Sequence, residues 1–129
     1  MDPLVFEPFF RPQIWGGRRL GSYLDRQLPI EGPVGEAWML SDHALHVSRV
    51  AEGPLAGTPL VELWASRREE LFGPRGQAPA RFPLLLKYLD CERQLSVQVH
   101  PSDELVQRLE INESGKTETW VVIEASPEA

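Results

Sequence analysis

The run Gln94-Leu-Ser-Val-Gln-Val-His100-Pro101 decides how the chain is read. In an extended strand alternate side chains share a face, so Gln98 and His100 point one way while Val97 and Val99 point the other. Eighteen residues past His100 stands Glu118, inside Gly115-Lys-Thr-Glu-Thr-Trp120. A second strand-like stretch, Glu118-Thr-Trp-Val-Val-Ile-Glu124, can carry that carboxylate onto the same face. Gln98, His100 and Glu118 then offer one amide oxygen, one imidazole nitrogen and one carboxylate to a single divalent metal, one ligand short of four. The alternative is a strand whose Gln and His are solvated, with Glu118 in an unrelated turn.

At 129 residues the chain fits one domain, 1–129, large enough to bury a real core. Thirteen Lys and Arg against 19 Asp and Glu give a formal charge of −6, so no basic stripe points to nucleic acid, and the acidity reads as solubility. The single cysteine, Cys91 in Leu89-Asp-Cys-Glu, has no partner for an internal disulfide and no neighbouring Cys or His, and is expected to pack. The N-terminus opens Met1-Asp-Pro without a basic or long apolar stretch, and no window approaches a membrane span. The expected setting is the cytoplasm, with no membrane partner.

Twelve prolines and ten glycines punctuate short apolar segments, which favours a β-rich architecture with many turns. Gln13-Ile-Trp-Gly-Gly17 is expected to be a strand end running into a tight turn, and Leu20 to Leu24 a helical turn. Gly35-Glu-Ala-Trp-Met-Leu-Ser41 and His46-Val-Ser-Arg-Val50 read as a strand pair joined by a turn at Asp42-His43. The clearest helix starts after Gly57, with Thr58 as N-cap, Pro59 at the first helical position and Glu62 nearby. Leu60, Leu63, Trp64, Leu71 and Phe72 follow at helical spacing until Gly73-Pro74 ends it. A loop from Arg75 to Arg81 precedes Phe82-Pro-Leu-Leu-Leu-Lys-Tyr-Leu-Asp90, an apolar run suited to a buried strand in which Lys87 is out of place. Ser102-Asp-Glu opens a short helix with Leu105, Val106 and Leu109 along one side.

Four of these segments together, Gly35-Glu-Ala-Trp-Met-Leu-Ser-Asp42, Phe82-Pro-Leu-Leu-Leu-Lys-Tyr-Leu89, Leu95-Ser-Val-Gln-Val-His-Pro-Ser-Asp-Glu104 and Gly115-Lys-Thr-Glu-Thr-Trp120, resemble type I mannose-6-phosphate isomerase, also called phosphomannose isomerase, and especially its shorter bacterial form. The resemblance implies a mainly β fold, a cupin-type jelly-roll barrel or sandwich, here incomplete, with one or two short helices. It also implies one zinc held by a Gln, two His and a Glu. Gln98, His100 and Glu118 match three ligand positions. The fourth, a histidine far downstream in the family, and a pocket arginine beyond it have no counterpart before Ala129. The chain therefore resembles an N-terminal portion. His43 and His46 lie in the wrong region to stand in, and are expected to be surface or core histidines.

The family reaction interconverts mannose 6-phosphate and fructose 6-phosphate by moving a proton between adjacent carbons. Lys87 and Lys116 match lysines lining the sugar-phosphate pocket, and Lys116 is also the candidate proton-transfer base, because a lysine buried beside a cation loses basicity. Lys116 alternatively binds phosphate or faces solvent, and Lys87 alternatively pairs with Glu36 or Asp90. Glu36 and Trp38 are assigned to structure. Trp120 walls the pocket or packs in the core. Three functional classes remain open: the isomerase in truncated form, inactive or weak alone; a non-catalytic cupin module that binds metal or sugar or serves in assembly; and a cupin of other chemistry such as an iron dioxygenase, against which Gln98 argues. Unpaired strand edges and an exposed apolar face predict a homodimer or strand exchange.

Overall fold

The computed structural model of the chain describes residues 3–73 and 77–127. Pro74 and the start of the loop expected from Arg75 lie outside the described residues. The chain forms two compact units, Met1–Leu95 and Ser96–Ala129.

In the first unit, strand β1 (Phe9–Gly17) is followed by helix α1 (Arg19–Tyr23) and strand β2 (Val34–Leu40). Short strands β3 (Asp42–His43) and β4 (His46–Val47), helix α2 (Leu60–Phe72) and strand β5 (Leu86–Leu89) complete the unit. The main sheet is antiparallel in the order β1-β2-β5 and does not close into a barrel among the described residues; β3 and β4 form a separate hairpin. β2 thus pairs with β1 and β5, and not with the His46 strand as expected from sequence. Asp42 and His43 belong to the hairpin itself, so the turn falls one step later, at Ala44-Leu45.

Alternation along the strands gives the sheet two unlike faces. Ala37 and Met39 of β2, with Phe10 of β1 and Tyr88 of β5, pack on Leu20, Leu24 and Val34 around α1. The opposite face carries Glu36 and Trp38 of β2. Their cross-strand neighbours are Arg11 and Phe9 of β1, and Leu89 and Lys87 of β5. The β1–β2 register shifts between Arg11 and Pro12, where a residue with no backbone N–H to donate falls at an irregularity.

β1 and β2 cross so closely at Gly16 that an added Cβ would stand against the backbone nitrogen of Gly35. Gly17 faces the Asp90 carboxylate in the same way. Asp90 is buried because it is satisfied: its Oδ2 accepts the backbone N–H of Arg19 at 2.7 Å, at the start of α1, and its Oδ1 lies 3.4 Å from the Arg19 guanidinium.

Helix α2 buries Leu60, Leu63 and Trp64 of the five positions the 3.6-residue spacing selects, while Leu71 is half-buried and Phe72, at the end of the helix, is exposed. Its cap is Pro59 rather than Thr58, because the Thr58 carbonyl accepts from Val50 and Pro59 bridges Arg49, which holds both residues in extended backbone. Gly73 ends the helix at φ +80°, torsions suited to glycine. The apolar run before Asp90 is not a buried strand along its length: only Leu86–Leu89 pairs, and Leu84, Leu85 and Leu86 face solvent at the sheet edge. Cys91 is exposed rather than packed.

The second unit contains helix α3 (Asp103–Arg108), capped by Ser102, whose side chain accepts the Leu105 N–H at 3.2 Å. Neither Gln94–His100 nor Glu118–Glu124 makes a β ladder among the described residues. No helix among the described residues is long and apolar enough to cross a membrane.

Two outcomes follow from this packing. Gly16→Ala must push two backbones apart, and is expected to lower unfolding free energy by about 1–3 kcal/mol, measured as a reduced urea midpoint; an unchanged midpoint contradicts the close crossing. Burial alone would raise the Glu36 pKa, but the Trp38 N–H, Lys87 and Arg11 outweigh it and hold the group below its ordinary 4.5. Its stabilising contribution is therefore complete above that value and is lost as pH falls through the folded-state pKa. Wild-type stability is expected to fall more steeply than that of Glu36→Gln between pH 6 and pH 3; parallel declines contradict this.

Candidate metal centre and substrate contacts

Two clusters of candidate side chains arise, one in each unit. In the second unit, α3 organises the site. Gly115 packs so tightly on the Ser102-Asp103 backbone that a Cβ would not fit, and its N–H donates to Asp103 Oδ1 at 2.8 Å. The next residue, Lys116, donates its backbone N–H to the Pro101 carbonyl at 3.1 Å. These contacts bring the 116–120 segment alongside His100-Pro101, which explains how two residues eighteen apart in sequence meet.

His100 Nε2 lies 3.3 Å from Glu118 Oε1. Two ligands each about 2.0–2.1 Å from one tetrahedral ion stand about 3.3 Å apart, so this spacing suits a shared zinc. Gln98, the third residue expected from sequence, donates from Nε2 to Ser96 Oγ at 2.9 Å, with its nitrogen turned toward Ser96. No cluster of three or more His, Cys, Asp or Glu that could hold a metal occurs among the described residues. His100 and Glu118 bring one imidazole and one carboxylate together, donors chemically suited to a divalent ion, whereas the Gln98 amide is engaged by Ser96 rather than by this pair.

Lys116 is the closest cation to this pair. Its Nζ stands 2.6 Å from Glu118 Oε2 and 3.3 Å from His100 Nε2. Trp120 Nε1 donates to Glu118 Oε1 at 2.9 Å, so Trp120 serves the carboxylate while its ring remains half exposed. The Lys116 ammonium first, then the Trp120 N–H, hold Glu118 down to a pKa of about 2. The carboxylate is thus ionised at neutral pH.

The first unit carries the other cluster, on the polar face of the β1-β2-β5 sheet. Glu36 Oε2 accepts from Trp38 Nε1 at 2.7 Å and from Arg11 at 2.9 Å, and Glu36 Oε1 accepts from Lys87 Nζ at 3.4 Å. Lys87 therefore has the Glu36 partner that the sequence offered as one alternative, whereas Asp90 is engaged by Arg19. The Arg11 guanidinium also lies over the Trp38 ring at 4.8 Å. Arg11 was missed by the sequence reading. Its signal was the placement of a cation two residues from Phe9 on one strand face, obscured by the adjacent Phe10 and Pro12. His43 meets the Trp38 ring edge-on at 5.6 Å, and His46 stacks on Phe9 at 4.1 Å, packing roles that agree with their expected assignment.

The chain is similar to known proteins over most of its length. The family described as phosphomannose isomerase type I, catalytic domain, matches residues 4–119. The chain is 42% identical over 129 residues to mannose-6-phosphate isomerase ManA of Bacillus subtilis, covering 99% of this chain and 39% of that protein. It is 44% identical over 124 residues to the mannose-6-phosphate isomerase of Streptococcus mutans, covering 96% of this chain and 38% of that protein. The crystal structure of the mannose 6-phosphate isomerase from Bacillus subtilis superposes with a TM-score of 0.77 at 39% identity, over 89% of this chain and 35% of that one. The chain thus spans about two fifths of the length of the curated relatives it matches. The fold is the cupin-type arrangement of antiparallel strands with short helices, present here as an open sheet. With a match from residue 4 to residue 119, this chain belongs to the type I phosphomannose isomerase family.

Proposed function

We propose that the chain supplies the metal-binding and proton-transfer residues of an aldose–ketose isomerase that interconverts mannose 6-phosphate and fructose 6-phosphate. The observation that carries this reading is the 3.3 Å approach of His100 Nε2 to Glu118 Oε1 in a member of this family. Gln98, His100 and Glu118 hold one zinc, with the fourth ligand supplied from outside these 129 residues. Zinc, when bound, supplies a Lewis acid that stabilises negative charge on a substrate oxygen. Gln98 is neutral and adds no negative charge that would blunt such an ion.

Lys116 carries the proton. Its Nζ contacts both Glu118 and His100, which places the amine beside the proposed metal ligands, where it can accept a proton from the sugar carbon and return it to the neighbouring one. Lys87 binds the phosphate of the sugar phosphate. The 129 residues, which span about two fifths of the relatives they match, turn over substrate weakly or not at all by themselves. The single cysteine suits a reducing, cytoplasmic setting.

The chain also associates with itself. Val97 and Val99 are 96% and 92% exposed, and farther along the chain Trp120, Val121, Val122 and Ile123 are also exposed, apolar side chains that a second copy can cover.

Zinc titration against a competing chelator is expected to give one equivalent bound by wild type. His100→Ala and Glu118→Gln should each weaken that binding by about tenfold or more, in line with the loss of a direct ligand. Zinc binding unaltered in both variants removes the metal assignment. Light scattering across a hundredfold range of concentration is expected to show a dimer that dissociates on dilution, and a monomer at every concentration contradicts self-association.

A further inference from the structure

The polar face of the β1-β2-β5 sheet holds more charge than packing requires. Glu36 sits at its centre with its side chain 8% exposed, against 21% for Lys87 and 30% for Arg11. Arg11 and Lys87 contribute two positive charges and Glu36 one negative, so the trio carries a net charge of +1. The three bonds to Glu36 are unequal. Arg11 and the Trp38 N–H hold Oε2 at 2.9 and 2.7 Å, while Lys87 stands at the longer 3.4 Å from Oε1. Withdrawal of Lys87 leaves Glu36 still neutralised by Arg11 and hydrogen-bonded by Trp38, so the lysine can turn to another anion without stranding a buried carboxylate. Lys87 also cannot relax into the apolar layer, because its strand neighbour Tyr88 occupies that face against Ala37.

We propose that Glu36 is a positioning residue for Lys87: it holds the ammonium on the polar sheet face as a preset cation that transfers to the phosphate of a sugar phosphate. This rests on the assignment of Lys87 to phosphate binding, and adds a residue that touches no substrate itself. Arg11 is the counterweight, fixing Glu36 through the transfer. The arrangement lowers the entropy cost of immobilising a long lysine side chain when the ligand arrives.

The chain has two lysines, Lys87 and Lys116, so amine labelling followed by mass spectrometry resolves them. Glu36→Gln is expected to raise the labelling rate of Lys87 by about threefold to tenfold, because the amide no longer holds the amine in an ion pair. Arg11→Gln, a milder change at a part-exposed residue, leaves Lys87 as the cation on Glu36 among the described residues and is expected to slow its labelling. Lys116 serves as the reference in each sample. Mannose 6-phosphate binding, followed by calorimetry, should weaken about fivefold to tenfold in both Glu36→Gln and the charge-preserving Glu36→Asp, which cannot reach Lys87. Tighter binding in Glu36→Gln with wild-type binding in Glu36→Asp would mean that Glu36 acts only through its charge, and overturns the positioning role. Lys87 labelling that is the same in wild type, Glu36→Gln and Arg11→Gln overturns it as well. Wild-type affinity in Lys87→Met, with Lys87 labelling still responding to Glu36→Gln, supports the hold of Glu36 on the lysine and removes instead the assignment of Lys87 to phosphate.

Discussion

A carboxylate buried at the centre of a three-stranded sheet has to be paired, and Glu36 is paired from all three strands at once. Arg11 reaches it from β1, Trp38 from its own strand β2, and Lys87 from β5. Because side chains alternate between faces, slipping either neighbouring strand by one residue would send its cation into the apolar layer and leave Glu36 uncompensated. The network therefore specifies register as well as satisfying a charge. The same register puts Ala37, Phe10 and Tyr88 against α1, so the apolar core and the polar face are two consequences of one alignment.

The second unit works by a different constraint, close backbone approach. Gly115 lies flat on the start of α3, and the Lys116 N–H to the Pro101 carbonyl ties the segment down one residue later. With those two positions fixed, Lys116, Glu118 and Trp120 fall on one side of an extended chain facing His100. The charge order within the cluster then follows from proximity. Glu118 stays ionised because a cation and an indole N–H both address it, and His100 keeps a nitrogen directed at that carboxylate.

Much of this was legible in the sequence where a local rule and the tertiary context agree. The period of Leu60, Leu63 and Trp64 finds α2, Ser102 finds the start of α3, and the alternation of Glu36 and Trp38 finds β2. The meeting of His100 with Glu118 was foreseen from matching strand patterns, although the contact that delivers it is the Gly115 crossing, which no pattern of polarity encodes. What escaped the sequence was set by neighbours distant along the chain. Thr58 has a good capping side chain but is held extended by Val50, and Leu84 to Leu86 look like a buried strand yet lie at a sheet edge. Strand partners were misjudged for the same reason: β2 prefers β1 and β5, and the nearer His46 segment pairs only with Asp42-His43.

The central claim is that His100 and Glu118 face one another as ligands of a common ion. The chain has three histidines, so a sample labelled with ¹⁵N in histidine gives resolved ring signals for each. Addition of one equivalent of zinc is predicted to shift the Nε2 signal of His100 to the position of a metal-bound imidazole, leaving His43 and His46 unchanged, and the shift should vanish in Glu118→Gln. Zinc that perturbs His43 or His46 in its place, or leaves His100 Nε2 where it was, contradicts the account.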